Sequence, residues 1–340
     1  MVVNNHLYSC HANFGSWASV TSGRNEQNYQ TDQGMQFKRV HFPTESAGST
    51  IVACDQYGRN AYCLFSSGNL YTWGINNNGQ LGLGNTTQYQ FPTLSATGVS
   101  AVYGTYGNTG QYGYDQTRLY ILKTDGFIYG CGGNGNGQLG VGNTTNPITS
   151  WTKITTFSSG QVSYVWNMGA DNGATYFILS DNSIYGCGYN GYGVLGNGTT
   201  TSLSTPTNLT TYLNPSKYGV TKMTGDWGNY QTLYYLLSNG SAYALGFNGN
   251  GQVGQGNTTT PVTSPHLVTT VAANIWSTGQ GSGSPAMFYN ISNNTTNLYS
   301  FGYNNQGQLG NGNTTAVSTP TVVHTSFSNL MNEGILDPSG

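Results

Sequence analysis

Charge is what this sequence has least of. Nine Lys or Arg and eleven Asp or Glu among 340 residues leave 6% of the chain charged and a net charge of −2, where an ordinary soluble domain carries about 25%. No Lys or Arg follows Lys222. A nucleic-acid binder needs a basic patch to displace condensed counterions, and an anionic-membrane binder or an acidic tail needs a run of one sign. All three are excluded. Long apolar runs are missing as well: no stretch of about 18 apolar residues exists to span a membrane as a helix. Met1 to Asn5 lack the basic start and apolar core of a secretory signal. The cysteines number five, an odd count that specifies no disulfide framework. Cys54 and Cys63 are near enough for one hairpin and able to bridge if oxidised.

What is abundant points one way. Fifty Gly and 26 Tyr, with much Asn and Thr, read as many short strands joined by tight turns. Tyr71-Thr-Trp-Gly-Ile-Asn-Asn-Asn-Gly-Gln-Leu-Gly-Leu-Gly-Asn-Thr-Thr recurs from Tyr129, Tyr185, Tyr243 and Tyr299, and a worn copy starts at Tyr8. The spacings are 63, 58, 56, 58 and 56 residues, so six units fill the chain. A hairpin precedes each start, as in Leu119-Tyr-Ile-Leu then Asp125-Gly126. Further strands lie at Val162–Trp166 and near the prolines, as at Thr205-Pro206-Thr207. Four strands per unit predict an all-β chain: one β-propeller domain over residues 1–340, with about six four-stranded blades and seven as the alternative. The unit starts fall near 8, 71, 129, 185, 243 and 299. Pairing of N- and C-terminal strands within one blade is expected to close the ring.

The Gly-Gln-Leu-Gly-x-Gly loop after a Tyr-x-Trp-Gly strand resembles the regulator-of-chromosome-condensation repeat family. Tyr71–Gly84, Tyr129–Gly142, Tyr243–Gly256 and Tyr299–Gly312 carry the resemblance, and Gly193-Val-Leu-Gly196 departs mildly from it. It implies a propeller, usually of seven blades. Family repeats usually place His then Ser eleven positions before the start tyrosine. Asn60, Arg118, Ala174 and Thr232 stand there instead. The founding member's guanine-nucleotide exchange and chromatin docking use charged loops, which this chain lacks, and fold alone does not transmit activity.

Within the frame, Trp73, Cys131, Cys187, Leu245 and Phe301 share one slot, and a slot that accepts all four residue types is a packing position. Gly79, Gly137, Gly193, Gly251 and Gly307 are structural repeat positions. The histidines show no metal spacing, and the Asn-rich loops offer amides where hard cations want carboxylates. No metal, cofactor or catalytic residue is expected. The Asn-Thr-Thr sequons read as repeated turns. Asp55, Asp115, Asp171 and Asp226 either ring one face near the axis or serve turns. Tyr103, Tyr106, Tyr112 and Tyr114 lie off the template in a Tyr/Gly/Asn/Thr stretch that is the candidate binding loop.

The expectation for function is a non-enzymatic structural or adhesion protein. Low charge and the missing signal suggest an exterior part of a virus or phage particle, such as a decoration, fibre or host-attachment module. Its partners would be other proteins of the particle, or a host receptor or glycan, with homo-oligomers allowed. A cell-surface carbohydrate-binding propeller is the alternative. A protein-interaction scaffold or small-GTPase exchange factor comes third.

Overall fold

The computed structural model describes residues 2–3, 6–10, 37–42, 48–57, 60–104, 118–168, 173–225, 230–277, 286–291 and 297–324. They form six antiparallel sheets in chain order. The first has three strands: β1 (Val2–Val3), β2 (His6–Cys10) and β3 (Phe37–Arg39). The second unites β4 (Ile51–Tyr57), β5 (Asn60–Phe65), β6 (Leu70–Gly74) and β7 (Tyr89–Ala96). The third holds β8 (Val99–Gly104), β9 (Arg118–Lys123), β10 (Ile128–Gly132) and β11 (Ile148–Lys153). The fourth holds β12 (Val162–Asn167), β13 (Ala174–Leu179), β14 (Ile184–Gly188) and β15 (Leu203–Asn208). A single helical turn, α1 (Thr210–Leu213), leads to the fifth sheet. This comprises β16 (Val220–Gly225), β17 (Thr232–Leu237), β18 (Ala242–Gly246) and β19 (Val262–Thr269). The sixth comprises β20 (Ala272–Ser277), β21 (Ala286–Ile291), β22 (Leu298–Gly302) and β23 (Val317–His324).

This is the all-β propeller that the repeat predicts, with one difference. The first blade has three strands among the described residues where four are expected. The strand that the carboxyl end would add, and with it the pairing of the chain ends, falls beyond His324, outside the described residues.

The alternation of the sequence explains the packing. The second strand of a blade is largely buried, since neighbouring blades cover it: β13 and β17 are buried along their whole length, and β5 and β9 along most of theirs. One core cluster joins Tyr176 and Leu195 of one blade to Leu233 and Leu245 of the next. Start tyrosines pair across strands with tyrosines one residue beyond the second-strand template position: Tyr235 stacks on Tyr243 at 5.1 Å and Tyr289 on Tyr299 at 4.9 Å. In the five four-stranded sheets the third strand ends at a glycine with φ between 101° and 118°, where the ladder to the fourth strand also shifts register.

Within a blade the chain runs up, down, up and down. The loops joining first to second and third to fourth strands therefore share one face, called here the upper face. The hairpins and blade-to-blade connections share the other.

Candidate functional site

The upper face is built from the repeated loop, and amide side chains hold it. Asn248, fully buried, accepts from the Val253 N–H at 2.9 Å and donates to the carbonyls of Asn257 at 3.0 Å and Thr259 at 3.1 Å. Asn76, Asn134, Asn190 and Asn304 accept in the same way from Leu81, Leu139, Leu195 and Leu309. Gln80, Gln138, Gln252 and Gln308 each accept a backbone N–H two residues back. The sequon asparagines Asn85, Asn143, Asn257 and Asn313 close Asx turns onto Thr87, Thr145, Thr259 and Thr315.

Among the described residues, four of the five loops also grip the next blade. The N–H groups of Gly84, Gly142, Gly198 and Gly256 donate to the carbonyls of Thr149, Ser204, Thr263 and Ser318 on the next fourth strand, at 2.7 to 3.0 Å. Gly79, Gly137, Gly193 and Gly251 sit against those strands with φ between 70° and 79°. A Cβ at Gly193 would fall 2.8 Å from the Thr263 Cα, so the approach requires glycine. Gly307 has the same φ, 72°, but no neighbouring strand lies over it among the described residues.

The Trp73/Cys131/Cys187/Leu245/Phe301 slot lies beneath these loops, and each side chain is at most 2% exposed. The Cys131 and Cys187 thiols point at the Gln80 and Gln138 carbonyls of the preceding loop, and burial pushes both thiols well above their ordinary pKa. Cys54 and Cys63 face each other across β4 and β5 with no disulfide between them. Among the described residues no group of three His, Cys, Asp or Glu is placed to hold a metal. Arg118, at a position where the family carries His, is fully buried and donates to the Met168 carbonyl of the next blade at 3.1 Å.

Two features stand out from this scaffold. The first is a cluster of four rings on the upper face between the fourth and fifth sheets. Tyr230 and Phe247 lie 4.7 Å apart, Tyr192 is 5.4 Å from Phe247 and 6.0 Å from Tyr230, and Tyr189 is 6.3 Å from Tyr192. Tyr230 is 39% exposed, and the other three are partly exposed. Partial burial, then the neighbouring Tyr189 and Tyr230 phenols, hold the Tyr192 hydroxyl above the ordinary tyrosine pKa.

The second is a cavity of about 1080 Å³ between the first strands of four consecutive blades, β4, β8, β12 and β16. Its lining includes Tyr62, Tyr103, Tyr164 and Trp166, with Asp55 and Lys222 as its charged residues. Tyr103 meets Tyr164 edge to face at 5.5 Å and donates to the Ser163 carbonyl.

Of the expected binding loop, Tyr103 closes β8 in this cavity, while Tyr106, Tyr112 and Tyr114 fall outside the described residues. Asp55 lines the cavity; Asp115, Asp171 and Asp226 also fall outside. Sequence reading missed Tyr189, Tyr192, Tyr230 and Phe247. The first two and Phe247 hide inside the variable positions of the repeated loop. Tyr230 reaches them only because the next blade packs alongside. The one sequence signal of the three loop residues is aromatic character at two variable positions, which elsewhere hold Ile75, Gly133 and Tyr303, and Asn78, Asn136, Asn250 and Gln306.

The fold and its gripping loops define a β-propeller repeat protein. The regulator of chromosome condensation (RCC1) repeat model matches residues 67–109 and 297–333, and the chain is similar to RCC1-repeat propellers, consistent with a divergent member. It is 29% identical over 210 residues to the probable E3 ubiquitin-protein ligase HERC4 of Homo sapiens, covering 61% of this chain and 18% of that protein. It is 28% identical over 211 residues to the ultraviolet-B receptor UVR8 of Arabidopsis thaliana, covering 61% and 43%. The chain thus spans less than half the length of these curated relatives. Among solved structures, yeast RCC1 (Prp20) bound to Kap60 superposes with a TM-score of 0.61 at 15% identity, covering 95% of this chain and 71% of that one. Human WBSCR16 gives 0.58 at 17%, covering 86% and 71%.

These findings correct the expectation of a virus or phage exterior protein, and with it the virion or extracellular setting. The relatives named above include a ubiquitin ligase, an ultraviolet-B receptor and yeast RCC1, RCC1-like proteins that are intracellular, and nothing in these likenesses supports a particle component. Glycan partners likewise find no support. The physical reason for the error lies in the loops: their buried amides account for the missing charge without any appeal to setting.

Proposed function

We propose that this chain is a non-enzymatic protein-recognition propeller that docks its partner on the upper face. The ring cluster of Tyr189, Tyr192, Tyr230 and Phe247 carries the reading. Tyrosine supplies large contact area at small entropic cost, and aromatic clusters ringed by polar groups are where binding energy concentrates. Uncharged amide loops surround this one, so docking desolvates few charges. Solved structures of the same fold support protein recognition: yeast RCC1 (Prp20) is bound to Kap60 in one, and Prp20p of Saccharomyces cerevisiae has binding properties to Gsp1p and histones.

The test is capture of partners from the source extract by the immobilised chain, compared with two variants. A Tyr192→Ala/Tyr230→Ala chain is expected to lose the protein that the parent retains, with unchanged thermal melting. A Tyr212→Ala chain, altered at a 52% exposed ring on the opposite face, is expected to keep it. Equal retention by all three, or loss in the Tyr212 variant alone, refutes the docking face.

A further inference from the structure

The axial cavity has the features of a peptide site. Four strands line it, β4, β8, β12 and β16, and each stands at the end of its sheet's strand order. Among the described residues, one edge of β8, β12 and β16 therefore pairs with no further strand, and such an edge is what an extended peptide pairs with. The walls between these edges are aromatic and hydroxylic: Tyr103, Tyr164 and Trp166 with Ser163, Thr221 and Thr224. Tyr164 turns 51% of its surface to solvent. The volume, about 1080 Å³, is at the upper end of the range for sites that bury a drug-sized ligand, about 300–1,000 Å³.

One charge in this lining is uncompensated. Lys222, on β16, is half-buried, with its Nζ 5.5 Å from the centre of the Trp276 ring. It has no ion pair or side-chain hydrogen bond among the described residues. Burial draws its pKa below the ordinary lysine value, so an anion brought beside it would restore stabilisation that the cavity withholds. Asp55 lies three blades round the ring on β4. A ligand with acids along its whole length would meet that carboxylate, whereas one with a single acid would not.

We propose that this cavity binds an extended peptide segment of a partner protein, with one Asp or Glu side chain paired to Lys222 and an aromatic or apolar neighbour packed on Tyr103, Tyr164 and Trp166. The proposal rests on the protein-recognition reading above and deepens it, because the cavity's first strands end at the same upper face as the Tyr192 cluster. The peptide is then the portion of the partner that enters the ring, while the cluster holds the partner's folded surface.

The experiment pans an mRNA-displayed random heptapeptide library against the full chain and against its Lys222→Gln, Lys222→Arg and Tyr192→Ala variants. Peptides selected by the parent are expected to share one acidic residue next to an aromatic or apolar one. The best of them, made synthetically, is expected to bind the Lys222→Arg chain about as well as the parent. It should bind the Lys222→Gln chain at least about tenfold more weakly, the weight of a charge-assisted hydrogen bond. Its Glu→Gln counterpart should bind the parent equally weakly and lose nothing further against Lys222→Gln. Selected peptides without an acid, undiminished binding to Lys222→Gln, or no selected peptide at all overturns the proposal. Binding lost in Tyr192→Ala but kept in Lys222→Gln overturns it too, and leaves the docking face standing.

Discussion

Truncating the loop asparagine isolates the interaction on which the upper face depends. In Asn248→Ala the buried Val253 N–H loses its acceptor, and the carbonyls of Asn257 and Thr259 lose their shared donor. A buried, unsatisfied N–H costs about 1–3 kcal/mol, and the two lost carbonyl bonds, which water partly replaces, add about 0.5–1 kcal/mol each. The expected destabilisation is therefore about 2–5 kcal/mol. Asn304 makes the same bonds to Leu309, Asn313 and Thr315. Its loop, however, has no next strand over it among the described residues, and Gly310 is exposed. Water reaches that loop more readily, so Asn304→Ala should cost about half as much. Asn248→Asp keeps one acceptor but sets a carboxylate against two carbonyl oxygens, so it should be no milder than alanine. Urea unfolding followed by tryptophan fluorescence reads all three, with unchanged m-values showing that only stability moved. A loss below about 1 kcal/mol at Asn248, or one at Asn304 equal to it, would refute the amide-staple argument.

Glycine substitutions test the grip between blades. Gly193→Ala meets the Thr263 backbone at φ 75° and should cost about 3 kcal/mol. Gly310→Ala at φ 66°, with nothing within 4 Å among the described residues, should cost only the left-handed backbone term, about 1–2 kcal/mol. Thermal unfolding that ranks them the other way counts against the grip. Cysteine chemistry tests the packing slot: native protein treated with iodoacetamide at about pH 8 should be alkylated at half-buried Cys54 before Cys131 or Cys187, whose thiols burial keeps protonated. Peptide mapping that finds Cys187 modified as fast as Cys54 contradicts that burial. At the lower face, the bond from Lys217 at 2.6 Å, then the Ser183 bonds, hold the Asp181 carboxyl down to about 2. A folded pKa below the unfolded one stabilises above the unfolded value, about 4, and the gain disappears as pH falls toward 2. The melting-temperature gap between the parent and Asp181→Asn should accordingly be small, positive at neutral pH and vanishing toward pH 2. A gap that widens on acidification contradicts the assignment.

The blade is legible in the sequence because each of its positions answers to a local rule. Asp125-Gly126 and Asn239-Gly240 mark hairpins, and Tyr120, Tyr176 and Tyr234 mark second strands. The spacing near 57 residues marks the unit. The staple itself is half legible. The recurrence of Asn76, Asn134, Asn190, Asn248 and Asn304 is plain, but their full burial appears only once the loop folds back on its own Asn-Thr-Thr turn. The ring cluster is not legible, although Tyr103 of the sequence's candidate loop does line the cavity. Tyr192 and Phe247 come from different repeats, and Tyr230 from the connection between strands of the next blade. Only the packing of one blade on another brings them within 4.7 to 6.0 Å.

The same distinction accounts for the misread charge. A loop amide that both donates and accepts at zero exposure cannot be replaced by Lys or Glu, because a charge placed there would have to be desolvated without a counter-charge. Repeated five times, that requirement removes charge from the parts of a propeller where other proteins carry it. The scarcity is thus imposed by the blade from within, and it says nothing about the surroundings in which the protein works. It does change what each remaining charge means. Most exposed lysines on an ordinary surface serve solubility and are interchangeable, but a chain with nine Lys and Arg residues relies on amides and hydroxyls for that. A lysine half-buried in the axial cavity against Trp276, with no ion pair among the described residues, has no solubility role to perform there, and this is why binding is assigned to it.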